Sequence, residues 1–194
     1  GIFFRMLAFI YLFALLFLGM GWFGKKDASP GKHTALVEVN GVISSSGQAS
    51  ADNVMLGLKE AYKDKRTQGV ILRINSPGGS PVQAGYINDE IRRLRAKHPD
   101  IPLYAVVEDI CASGGYYIAV AAVRIYVDKA SIIGSIGVLM DGFGFTGTMD
   151  KLGVERRLLA AGDNKGFLDP FSPVNETQKA HAEEMLGQIH KQFV

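Results

Sequence analysis

"GVILRINSPGGSPVQAGYINDEIRRLRAKH", residues 69–98, decides the fold. Its opening, Gly69 to Ser76, has the composition of a buried strand, and the glycine turn after it leads into a helix running to about His98. The same alternation continues on both sides. Upstream, "ALVEVNGVI" reads as a strand ending in a turn, and "ADNVMLGLKEAYKDK" places Val54, Leu58 and Ala61 at helical spacing, with Ala51 to Asn53 able to open that helix. Downstream come a third strand at "IPLYAVVED", a helix led by Ser113, strands at "RIYVD" and "SIGVLM", and a short helix around Thr148 to Leu152. A strand at "ERRLLAAG" and a last helix from about Asn175 complete the series. Repeated strand-helix alternation implies an α/β fold with a mainly parallel sheet covered by helices, and places function on loops at the carboxyl ends of strands.

Composition narrows the function classes. With 194 residues, 47% hydrophobic and 21% charged, the chain can bury a sizeable core. A formal charge of +2, without a basic stripe interleaved with aromatics, does not suggest a nucleic-acid partner. One cysteine, Cys111, excludes an intrachain disulfide framework. No His/Cys/Asp/Glu cluster has metal-ligand spacing.

At the N-terminus, Met6 to Phe23 carries no charge and is close to the roughly 20 residues a helix needs to cross a bilayer. This predicts an uncleaved signal anchor over residues 1–24, because a cleaved leader has a shorter apolar core and a small-residue cleavage site. A polar linker, residues 25–33, leads to a catalytic domain over residues 34–194. That domain is expected to be incomplete, since the last helix stops in register without a cap or breaker. Arg5 before the span against Lys25, Lys26 and Lys32 after it would by charge counting keep the domain cytoplasmic. The chain opens on Gly1, however, so that count rests on an incomplete flank.

Two turns carry chemistry. "NSPGG", Asn75 to Gly79, follows a strand and precedes a helix, so its amides face outward at a helix N-terminus. "CASGGYY", Cys111 to Tyr117, repeats the arrangement with a serine in the turn. Ser113 can then be a nucleophile, with glycine amides as an oxyanion hole; alone, it would be an ordinary helix cap. The four histidines read as surface or linker residues, which leaves a lysine as the base. A lysine that takes a serine proton near neutrality must be desolvated, at about 4 kcal/mol of bias against its charged form. Lys165, in "GDNKGFLDPF", has glycine and apolar neighbours and is the best placed. Asp163 and Asp169 must then point away from it, because a carboxylate beside the amine would favour its charged form.

Together "INSPGGSPVQAG", "CASGGYYIAVAA", "ASIIGSIGV" and "LGVERRLLAAGDNKGFLDPFSP" resemble the signal peptide peptidase A family, membrane-anchored Ser-Lys peptidases of the Clp protease/crotonase superfamily. The resemblance covers Thr34 to Val194. It implies Ser113 as nucleophile, Lys165 as general base, Ser135 as the hydroxyl orienting that lysine, and Gly79 and Gly114 as oxyanion donors. It also implies ring-forming homo-oligomers in which neighbouring subunits help complete each site, and apolar peptides such as remnant signal peptides as substrates. No cofactor is called for. The N-terminal helix would contact membrane lipid, in a bacterial inner membrane with the catalytic domain periplasmic. That orientation is preferred here to the charge count. The rivals are a membrane-protein quality-control protease, a crotonase-type acyl-CoA enzyme, and an inactive membrane scaffold. "IRRLRAKH" is read as a solvated helix face, Cys111 as a small buried hydrophobe, and Tyr116 and Tyr117 as packing residues.

Overall fold

The computed structural model describes residues 1–23 and 31–194. Helix α1, Ile2–Phe23, occupies the apolar N-terminal stretch. The side chains described in it end at residue 15, and among the described residues no helix is long and apolar enough to cross a membrane. The anchor expected over residues 1–24 therefore lies partly outside the described residues, as does most of the linker.

Strand β1, His33–Asn40, begins one residue earlier than the expected domain start and is followed by helix α2, Ala51–Lys63. Ser50 caps α2, its Oγ accepting from the Asn53 amide. Strand β2, Thr67–Ser76, leads through the glycine turn into helix α3, Pro81–Lys97, where Ser80 is the cap and Pro81 occupies the first turn. Strand β3, Leu103–Ala112, runs to the residue before Ser113, and helix α4, Gly114–Ala119, starts immediately after it.

The strands pair in the order β1-β2-β3-β4, all parallel, with β4 at Arg124–Tyr126 and β5 at Ile132–Gly134 both running along β3. This is the mainly parallel α/β sheet expected from the alternation. Its core lies on one face, where Val39, Leu72, Ile74 and Leu103 meet Leu58, Ile87 and Ile91 of α2 and α3, all fully or almost fully buried. Each such side chain contributes about 1.5–3 kcal/mol. On the opposite face Arg73 pairs with Glu38 of β1 and, at 3.7 Å, with Glu108 of β3. The arginines of "IRRLRAKH" are less free than a solvated face implies. Arg92 donates to Asn88, Arg93 pairs with Glu90, and Arg95 donates to the Ala121 carbonyl.

Past β5 the expectations part from the structure. Helices α5, Thr146–Leu152, and α6, Glu176–Phe193, form where expected, and Asn175 caps α6. The strand expected at "SIGVLM" instead ends at Gly134, because Gly134 and Ser135 take φ of 112° and 52° and turn the backbone out of the ladder. "ERRLLAAG" has no strand partner among the described residues, and its Leu158 and Leu159 are exposed.

Candidate active site

Ser113 sits at the carboxyl end of β3 with φ 51° and ψ −119°, a conformation rare for a residue with a side chain. Two bonds hold it there: its N–H donates to the Gly134 carbonyl at 2.8 Å and its carbonyl accepts from Tyr117 N–H at 3.0 Å. The hydroxyl makes no cap bond to α4, so the half-buried side chain is left to point out of the turn.

Beside it lies the first glycine turn. A Cβ at Gly78 would come within 2.8 Å of Ser113 Cβ, and a Cβ at Gly114 would lie 3.5 Å from Gly79 N. The two turns, 35 residues apart in sequence, thus meet because β2 and β3 are parallel neighbours, with Ser76 paired to Cys111. Gly114 opens α4, so its N–H is among those a helix leaves unpaired. Neither it nor the Gly79 N–H donates to another group among the described residues. Two open amides therefore flank one serine, a disposition suited to an oxyanion.

The remaining expected residues are placed differently. Ser135 follows Gly134, whose carbonyl holds Ser113, so it is near the serine in the backbone, but its side chain is exposed. Lys165 is exposed in a turn closed by its own N–H to the Gly162 carbonyl at 3.2 Å. Asp169 is turned to Arg156 and, at 2.6 Å, to the Ser172 hydroxyl, and no carboxylate pairs with Lys165 among the described residues. Helix α6 touches the neighbourhoods of both Ser113 and Lys165. Near its start Gln178 binds Asn164 and the Leu168 amide, on either side of Lys165; at its end Phe193 stacks on Tyr117 of α4 at 4.7 Å. Fifteen helical residues separate these contacts, about 22 Å at 1.5 Å per residue. No hydrogen bond joins Ser113 to Lys165 among the described residues.

Three of the four histidines are engaged elsewhere, and the fourth, His190, is exposed on α6. His33 faces Asp64, His98 packs on the Tyr62 ring and His181 on the Phe167 ring. Cys111, two residues before Ser113, has no exposed surface, and burial pushes its thiol up to about 11. At pH 8 only about one molecule in a thousand would carry the thiolate. Iodoacetamide is thus expected to leave folded protein unmodified at pH 8 and to label Cys111 only after unfolding in guanidinium; rapid alkylation of the folded chain, read by intact mass, would contradict this.

Sequence reasoning missed the residues that hold the glycine turn, Ser76 and the Gly41–Ile43 segment. The only signal was the "NG" pair ending β1, read there simply as a turn.

A sequence model described as "Peptidase family S49" matches residues 95–194, a stretch that includes Ser113, Ser135 and Lys165. The Na(+)/H(+) antiporter NhaA of Brucella melitensis biotype 1 is 40% identical over 164 residues, 82% of this chain and 22% of that one. A candidate signal peptide peptidase SppA of Enterococcus faecium is 30% identical over 177 residues, 87% of this chain and 51% of that one. A candidate protease of Methanocaldococcus jannaschii is 34% identical over 137 residues, 71% and 43%. The chain therefore spans about half or less of the length of these relatives. With its family motif extending over more than half of its residues, the chain belongs to peptidase family S49.

Proposed function

We propose that the protein is a membrane-anchored serine endopeptidase that cleaves apolar peptides, remnant signal peptides among them. One observation carries the reading: a serine in a strained turn beside two open glycine amides, on the carboxyl edge of a parallel sheet. The Ser113 Oγ attacks the peptide carbonyl as its proton passes to neutral Lys165, and the oxyanion rests on the Gly79 and Gly114 amides. The carbon–nitrogen bond then breaks, the amine leaves with the proton from Lys165, and water, deprotonated by the same lysine, frees the acid from Ser113.

In the single chain Lys165 is exposed, too open to solvent for this role unless something covers it. The lysine that serves Ser113 is accordingly that of a second copy, and docking of that copy removes it from water. The exposed Ile132, Ile133, Leu139, Phe143 and Leu159 are the apolar side chains proposed for such docking. Ser135, beside Ser113, would receive and orient the incoming amine. An extended peptide would add to a strand edge near the site, with side chains in shallow apolar pockets. The N-terminal helix would hold the assembly in a bacterial inner membrane with the catalytic domain periplasmic.

The test is cleavage of a synthetic signal peptide by the full-length protein in detergent, followed by mass spectrometry. Internal cuts within the apolar core, absent with Ser113→Ala protein, are expected. An intact signal peptide in the presence of protein that does cut polar peptides would overturn the substrate class.

A further inference from the structure

Ser76 closes β2 with no exposed surface, and its hydroxyl is used twice. It donates to the Gly41 carbonyl at 2.7 Å and accepts from the Gly78 N–H at 3.1 Å. The segment it grips is itself laced to the turn: Gly41 N–H donates to the Asn75 carbonyl at 2.9 Å, Ile43 N–H to the Gly78 carbonyl at 2.8 Å, and Ser80 N–H to the Ile43 carbonyl at 2.8 Å. Both polar backbone groups of Gly78 are therefore committed, one to Ser76 and one to Ile43.

This bears on the oxyanion amide through peptide geometry. The Gly78 carbonyl and the Gly79 N–H belong to one planar trans peptide and point in opposite directions. With the carbonyl aimed at Ile43, the Gly79 N–H is aimed away from it. Gly78 and Gly79, at φ 99° and 149°, have no side chain to restrict that plane, so its orientation depends on what binds it. Ser76 also touches the second turn, since a Cβ at Gly115 would sit 3.0 Å from the Ser76 carbonyl and 3.4 Å from its Cβ.

We propose that Ser76 is a positioning residue of the oxyanion site: its hydroxyl holds the Pro77–Gly78 peptide through the Gly78 N–H and anchors the Gly41 carbonyl, and so fixes the segment whose Ile43 N–H sets the adjoining Gly78–Gly79 plane that presents the Gly79 N–H to the reacting carbonyl. The assignment rests on the reading of Ser113 as nucleophile. It accounts for a hydroxyl at a position where the strand alone would favour an apolar residue, and for its two partners lying on the two segments that frame Gly79.

The experiment compares wild type, Ser76→Ala and Ser76→Cys as full-length protein in detergent. A fluorogenic apolar peptide supplies kcat and KM, and its aldehyde counterpart, whose hemiacetal oxygen would occupy the oxyanion site, supplies an inhibition constant. Rates are expressed per active site titrated with a fluorophosphonate, so that a variant that merely folds poorly loses sites and not rate. Displacing one donor without removing it should lower kcat per site by about 10–100-fold for Ser76→Ala. KM should stay within about twofold, and aldehyde inhibition should weaken in parallel with kcat. Ser76→Cys, which retains a weaker polar atom at the same place, should recover part of the loss and guards against failure of the alanine variant to fold. Unchanged kcat per site in whichever variant folds overturns the assignment of Ser76 alone. A wild type that neither labels nor cleaves overturns the Ser113 reading and the Ser76 assignment with it.

Discussion

Replacing Ser113 with alanine is expected to lower peptide turnover by on the order of 10⁴-fold or more, because the acyl intermediate of the proposed reaction forms on its hydroxyl. Cys111, two residues away in sequence, is sealed in the core with its thiol pushed up to about 11. The fold should survive the change. The Ser113 hydroxyl caps nothing, and the backbone bonds from Gly134 and to Tyr117 remain. Activity and stability can be separated further with glycine. At φ 51° alanine retains the strain of a left-handed residue and glycine does not, so Ser113→Gly should unfold later than Ser113→Ala by about 1 kcal/mol, while both remain inactive. Turnover retained in either variant would exclude a serine mechanism.

Gly79→Ala should have the second largest effect, on the fold and on the reaction together. An alanine Cβ there would fall 2.1 Å from the Ile43 carbonyl oxygen and 2.9 Å from its carbon, both backbone atoms of the segment that frames the turn. Something must move, and φ 149° adds strain. Either the Ile43 bridge opens or the Gly78–Gly79 plane rotates, and each takes the oxyanion amide out of place. A loss of about 10²–10³-fold in kcat is expected, with a lowered urea midpoint. Full activity in Gly79→Ala protein would mean that the Gly79 N–H is not a donor to the oxyanion. Gly85, where a Cβ meets nothing within 4 Å, is the control, and Gly85→Ala should leave kcat unchanged.

The first half of the fold was legible because its elements are locally complete. Each of β1, β2 and β3 carries its own apolar run, α2 and α3 have serine caps, and the parallel order follows from the helices between strands. The second half was legible only in its helices. "ERRLLAAG" has strand composition, but a strand needs a partner, and Leu159 stays exposed because none lies beside it among the described residues. The site divides in the same way. Ser113 and Gly79 could be brought together from sequence because the two turns end adjacent strands. Lys165 could be chosen by its neighbours and by resemblance, but a spacing of 52 residues says nothing of distance, and in the fold its side chain stands exposed in a turn. Ser76 escaped notice because its partner Gly41 lies 35 residues upstream and only the folded loop joins them.

In the proposed reaction Ser113 is activated by Lys165. That activation is tested most directly by fluorophosphonate labelling of the full-length protein in detergent, with the adduct mapped by mass spectrometry in wild type, Ser113→Ala and Lys165→Ala. One adduct on Ser113 in the wild type, lost in both variants and regained when the two variants are assembled together, is the predicted result. A folded wild type that takes no label, or a Lys165→Ala protein that labels at the wild-type rate, would contradict it.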